Sequence, residues 1–179
     1  MTAFYQFRKA NQSDVEAIWR ILRQAIERRR QDGSHQWQDG YPNPEVIEKD
    51  ILRGHGYVLL DEDRLVAYTA IMTNNEPAYD TIDGKWLTAG TDFLVLHRIA
   101  VENNYLGQGI AKRIFGEAEK IACSMGIASI RVDTNFDNQA MLHVVAKLGY
   151  AYCGEVILRG GARKAFEKVL SCQKQSSTV

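Results

Sequence analysis

Cysteine is sparse in this chain of 179 residues, which holds three: Cys123, Cys153 and Cys172. An odd number so widely spaced supplies neither the paired ligands of a zinc site nor a disulfide ladder, and it predicts a protein of the reducing cytoplasm. Net charge is also lacking. Lysine plus arginine number 22 and aspartate plus glutamate number 22, so no global field draws the chain to nucleic acid or to an acidic membrane surface. No apolar run is long enough to span a bilayer, and the first fourteen residues lack the basic start, apolar stretch and cleavage site of a secretion signal. No repeat, low-complexity block or linker divides the chain. What is there is a composition 45% hydrophobic and 25% charged, that of an ordinary globular protein with a real core, at a length suited to one domain.

Phe4 to Lys9 alternates apolar and polar residues as an edge strand does. Ser13 with Glu16 reads as a capping box that opens a helix, with Val15, Ile18, Trp19, Leu22, Ala25 and Ile26 as its apolar face. Arg28, Arg29 and Arg30 suit the end of that helix, ahead of an Asp32-Gly33 turn. Asn43 and Pro44 start a second, short helix that stops before Gly54. Tyr57 to Leu60 and Leu65 to Met72 read as a hairpin. The polar stretch from Thr73 to Gly90 is longer than a plain connection and predicts a working loop or an extra strand. Phe93 to Val101 is the most apolar strand, and Gly109 to Met125 the clearest helix. Ala128 to Thr134 is another strand; Asp137 caps a helix carrying Met141, Leu142, Val145 and Leu148; Tyr150 to Leu158 and Arg163 to Leu170 close the sheet. Residues 1–170 are expected to be one domain and 171–179 a polar tail.

Between the apolar strand and the clearest helix lies Leu106-Gly107-Gln108-Gly109-Ile110-Ala111-Lys112-Arg113. Small residues there let backbone approach a ligand, and the N–H groups at a helix start can hold a phosphate unaided. Lys112 and Arg113 stand in a first turn that by itself would favour acids, a mismatch that an anion repairs. A glycine turn that merely lets helix and sheet pack closely is the competing explanation. Two other phosphate motifs fail. A P-loop needs lysine followed by serine or threonine after its last glycine, and a dinucleotide fingerprint needs glycine or alanine where Lys112 stands.

The junction resembles motif A of the GNAT superfamily of N-acetyltransferases, whose pattern is Arg or Gln, two residues, Gly, any residue, then Gly or Ala. Leu106 to Ala111 matches at both small positions and departs at the first, where Leu106 replaces Arg or Gln. The spacing from Ala100, and Asn138, Met141 and Lys147-Leu148-Gly149-Tyr150 further on, look like the rest of the family's core. The resemblance implies an α/β (α+β) domain, with a central mixed, mostly antiparallel sheet of six to seven strands flanked by about four helices. It implies acetyl-CoA as co-substrate and no metal. Ile99, Ala100 and Val101 would bond the pantetheine arm from a splayed strand. Leu106, Gly107, Gln108, Gly109, Ile110, Ala111 and Lys112 would hold the pyrophosphate, without the polar side-chain contact that Arg or Gln would add at position 106. Asn138 would reach the coenzyme from the next helix, although capping explains an asparagine there equally well. The family's acid tyrosine falls seven residues after Asn138, where this chain has Val145.

The implied reaction is acetyl transfer to a primary amine, on a small molecule or a peptide, with no nucleic acid or membrane partner and homodimerisation left open. Such a reaction needs a neutral amine, a path for its proton and donors for the oxyanion. A lysine side chain is neutral in about one molecule in 2,500 at pH 7, whereas an α-amine needs only about 1 kcal/mol to reach that state. His97, just upstream of the coenzyme strand, is the candidate proton relay, against a plain role as a histidine tucked into the sheet. His35, Trp37 and Tyr41 follow the first helix, where the family's substrate lip lies, and either line the acceptor pocket or anchor a long loop. A GNAT fold that senses acetyl-CoA without transferring anything is the alternative.

Overall fold

The computed structural model describes residues 5–90 and 92–172. In chain order the elements are β1 (Tyr5–Lys9), α1 (Val15–Gln31), α2 (Pro44–Leu52), β2 (Gly56–Asp61), β3 (Arg64–Thr73), β4 (Asp83–Gly84), β5 (Leu94–Val101), α3 (Ile110–Ser124), β6 (Ser129–Thr134), α4 (Gln139–Lys147), β7 (Ala151–Leu158) and β8 (Gly161–Val169). The strands form one eight-stranded sheet in the order β1-β2-β3-β5-β6-β8-β7-β4. β5 and β6 run parallel, while β1–β2, β2–β3, β6–β8, β7–β8 and β4–β7 are antiparallel. The sheet exceeds the expected six to seven strands because the polar stretch after β3 contributes β4, whose Asp83 and Gly84 pair with Glu155 and Gly154. A side chain at Gly84 would collide with the Cys153 carbonyl at 2.2 Å, so glycine is required where these backbones meet. Among the described residues, no helix is long and apolar enough to cross a membrane. Phe4 and residues 173–179 of the expected tail lie outside the described residues.

Contacts divide the chain into two compact units, Met1–Met72 with Leu96–Phe115, and Thr73–Val95 with Gly116–Val179. In the first, α1 buries Ile18, Ile21, Leu22 and Ala25 with Ile47, Val58, Leu60, Leu65, Tyr68 and Ala100. Four α1 residues at spacings of three and four supply the apolar stripe that fixes the helix on the strands. In the second, Ala118, Ala122, Ile130, Val132, Val145, Val156 and Ala165 are buried.

Two helix starts differ from expectation. The box that opens the first helical segment is Asn11 with Asp14: Asn11 Oδ1 accepts from the Ser13 amide at 2.9 Å, and Asp14 Oδ2 from the Asn11 amide at 2.8 Å. A 3₁₀ turn at Gln12–Asp14 inserted ahead of α1 moves the cap back from Ser13. At α4 the cap is Asn138, not Asp137, its Oδ1 accepting from the Met141 amide at 3.2 Å. Asn43 and Pro44 open α2 as expected.

The cysteines depart from the expectation drawn from their number. Cys123 of α3 and Cys172 are joined in a disulfide across 49 residues of sequence, and Cys153 is free and buried. An odd count cannot exclude one bond closed by folding, and the inference of a reducing compartment loses its ground. Thiol titration of the denatured, unreduced protein is expected to find one reactive thiol per chain, rising to three after reduction; three before reduction would refute the bond.

Candidate active site

β5 ends at Val101 and a 3₁₀ turn, Asn103–Tyr105, leads to the glycines. Gly107 and Gly109 both have left-handed backbone, with φ of 74° and 77°, a conformation that disfavours other residues. A Cβ placed on either would meet nothing within 4 Å, so both glycines face open space. Ile110, Ala111 and Lys112 precede the first helical bond of α3, from the Arg113 amide to the Gly109 carbonyl at 3.0 Å; N–H groups at such positions have no acceptor within a helix. Lys112 and Arg113 are exposed, Arg113 lying 4.5 Å from the centre of the Tyr5 ring. Open backbone, helix-start donors and two cations fit a pyrophosphate. Leu106 is 46% exposed and brings no charge.

The approach to this cradle is fastened from two sides. From α1, Arg28 donates to the Val101 carbonyl at 3.0 Å and to Asn103 Oδ1, and Gln24 Oε1 accepts from the Asn103 amide at 2.9 Å. At the β2–β3 hairpin, Arg64 donates to the buried Glu102 carboxylate at 3.0 Å, and Asp61 accepts from the Tyr105 hydroxyl at 2.9 Å. Arg28 is therefore more than a charge that suits a helix end.

Among the described residues, the parallel ladder between β5 and β6 covers only Leu94 with Ile130 and Val95 with Arg131. Ile99, Ala100 and Val101 thus lie beyond it on their strand. His97 is half-buried, and its carbonyl accepts from the Thr69 hydroxyl at 3.1 Å. Arg98 has left-handed backbone, φ 54°, inside the strand. Its side chain pairs with Asp50 of α2 through Nε at 2.9 Å and Nη2 at 2.7 Å, and its Nη1 donates to the Tyr41 hydroxyl at 2.5 Å. The Tyr68 hydroxyl donates to Asp50 at 2.6 Å. Burial and the Asp50 charge push the Tyr68 hydroxyl well above its ordinary pKa, keeping it a donor.

The expected acceptor residues take different places. His35 is exposed. Trp37, at φ 63°, packs against the core under α1, as a loop anchor does. Tyr41 joins the Arg98 network. In the second unit, Asn138 serves as the α4 cap, so its carbonyl oxygen is engaged by the helix. Val145 is fully buried, consistent with its place on the apolar face. Tyr150 is 5% exposed, and burial, with Glu119 adding, pushes its hydroxyl well above the ordinary pKa. Tyr152 is 55% exposed and meets Phe166 edge-on.

Asp50, Arg98, Glu102 and Glu167 escape the sequence reading. Arg98 leaves one trace, a charged residue beside His97 in the otherwise apolar Leu94–Val101. Asp50 leaves another, three residues after the buried Ile47 on the inner face of α2.

The model of the acetyltransferase (GNAT) family matches residues 17–150. A Bacillus subtilis (strain 168) protein described as the uncharacterized N-acetyltransferase YesJ is 28% identical over 145 residues, 79% of this chain and 78% of that one. A crystal structure of a GNAT-family acetyltransferase from Streptococcus agalactiae 2603 superposes with a TM-score of 0.85 at 34% identity, covering 94% of this chain and 98% of that one. A Thermoplasma acidophilum PaiA N-acetyltransferase in complex with coenzyme A shares the fold at 17% identity, with a TM-score of 0.69 and coverage of 93% and 99%. With Gly107 and Gly109 turning left-handed ahead of α3 and the family's pattern matched over residues 17–150, this chain belongs to the GNAT family of acetyltransferases.

Proposed function

We propose that this protein transfers the acetyl group of acetyl-CoA to a primary amine on a small molecule or a peptide. The observation that carries the reading is the junction before α3, where Gly107 and Gly109 turn left-handed into open space beside Lys112 and Arg113. Gly107 to Lys112 bind the pyrophosphate and Ile99 to Val101 the pantetheine arm. The amine nitrogen attacks the thioester carbonyl, the carbon–sulfur bond breaks, and coenzyme A leaves as a thiolate. With a thiol pKa of about 8.5, that thiolate departs near neutral pH without a dedicated acid, which accommodates the buried Val145. His97 relays the proton lost by the amine, directly or through water. The Arg98-bound Tyr41, with His35 on the same loop, borders the acceptor, while Trp37 supports that loop by packing.

The buried Val145 also favours a second reading, an acetyl-CoA sensor that transfers nothing. One experiment separates them: acetyl-CoA is offered with a panel of primary amines and free thiol is followed against pH. Transfer predicts amine-dependent thiol release that climbs as the amine loses its proton and then levels off, without a descending limb from a tyrosine acid. Coenzyme binding with no thiol released by any amine would leave the sensor standing.

A further inference from the structure

Left-handed backbone inside a strand is costly for any residue but glycine, and it persists when the surroundings over-determine it. Arg98 adopts it at φ 54° in the middle of β5. The strand is held on both sides of this point: the His97 carbonyl accepts from the Thr69 hydroxyl at 3.1 Å, and the Glu102 amide donates to the Val66 carbonyl at 2.8 Å. A kink between two fixed points turns the peptide groups that join His97, Arg98 and Ile99. These are the groups that lead into the proposed pantetheine-binding edge.

The side chain of Arg98 is bound as tightly as its backbone is bent. Both Asp50 oxygens take a guanidinium branch, at 2.7 and 2.9 Å, the Tyr68 hydroxyl adds a bond at 2.6 Å, and the remaining branch reaches the Tyr41 hydroxyl at 2.5 Å. The Arg98 and Asp50 side chains are each 8% exposed. The groups come from four places: the loop after α1, α2, β3 and β5. A buried ion pair contributes little net stability over a hydrophobic contact of the same size. What a fully satisfied one supplies is a single geometry, and the planar fork of arginine fixes direction as lysine cannot.

We propose that Arg98 is a positioning residue whose guanidinium, locked between Asp50 and Tyr41, holds the β5 kink that shapes the coenzyme strand and ties the acceptor loop to it. The inference rests on the reading of the chain as a coenzyme A-dependent transferase. It predicts that the backbone angle, rather than the charge, is what coenzyme binding needs.

Glycine and alanine at position 98 separate these. Both remove the side chain, but glycine adopts φ 54° freely and alanine does not. Each is made with Asp50→Asn, so that no buried carboxylate is stranded. By titration calorimetry with coenzyme A, Arg98→Ala/Asp50→Asn is expected to bind at least about tenfold more weakly than the wild-type protein, and Arg98→Gly/Asp50→Asn within about threefold of it. Equal affinities for the glycine and alanine variants would overturn the proposal. Should either fail to fold, Arg98→Lys retains the charge and loses the fork. It is expected to bind coenzyme A about tenfold more weakly and to exchange its amides faster across residues 38–43; wild-type affinity or unchanged exchange overturns the strand or the loop part respectively. If the wild-type protein itself does not bind coenzyme A, the transferase reading fails instead.

Discussion

Gly109→Glu is expected to weaken coenzyme A binding by about a hundredfold or more, equivalent to roughly 2.7 kcal/mol, in a protein that still folds. The open space around Gly109 makes this a clean test. A Cβ there meets nothing within 4 Å, so the first atom of a new side chain disturbs no core, and the fold bears the strain of a non-glycine residue at φ 77°, about 1–2 kcal/mol. The ligand bears the rest, since the carboxylate projects into the space an incoming pyrophosphate needs and opposes its charge beside the Ile110 to Lys112 amides. Gly109→Ala isolates the strain and is expected to lower the melting temperature similarly with a much smaller loss of affinity. Calorimetry on both variants with thermal melts decides: unchanged affinity in folded Gly109→Glu places the phosphates elsewhere.

The largest effect on stability is expected at Glu167. It is fully buried on β8 and accepts from the Ser129 hydroxyl at 2.5 Å, Arg131 Nε at 3.3 Å, the Leu87 amide at 2.5 Å and both the amide and the hydroxyl of Thr88. Arg131 in turn lies 4.4 and 4.0 Å from the centres of the Trp86 and Phe93 rings and donates to the Thr88 carbonyl at 2.8 Å. Glu167 is thus the acceptor that folds the long segment between β3 and β5 onto its unit. Glu167→Gln leaves the Arg131 charge buried without its counter-ion and turns an amide donor toward other donors. The expected cost is about 3–5 kcal/mol, a large part of the ~5–15 kcal/mol of a typical domain. Burial alone would raise the Glu167 pKa, but the bonds from Ser129 and Thr88 and the Arg131 charge outweigh it and hold the carboxyl below its ordinary value. A depressed folded pKa means that this contribution is complete above the unfolded carboxylate pKa of about 4.3 and is lost as pH falls through the folded value. Denaturant melts from pH 7 to pH 3 should show wild type losing stability on acidification more steeply than Glu167→Gln; equal slopes and equal midpoints at pH 7 would refute the role.

The sequence by itself determined most of the elements and the glycine turn ahead of α3, because both are local. Apolar spacing of three and four residues marks α1 wherever the chain sits, and Asn43-Pro44 opens α2 from within its own first turn. Gly107 and Gly109 are legible as glycines whose freedom a turn would use, and the structure gives both the left-handed φ that justifies them. Where local signals compete, as between Ser13 and Asn11 or Asp137 and Asn138, two capping residues stood within reach and the fold chose between them. Long-range pairing left no such trace. Asp50 and Arg98 are 48 residues apart, Glu167 and Thr88 are 79, and Cys123 and Cys172 are 49. A charge on an apolar face can mark a residue, as it does Arg98 and Asp50, but it names no partner, since periodicity records which face is buried and is silent about which buried charge meets which. Only the tertiary structure decided that Arg98 turns left-handed inside β5 and pairs with Asp50, that Tyr41 is bound to it and that Trp37 is a packing residue, because these depend on side chains from separate elements converging where water is excluded and a polar group must find its partner.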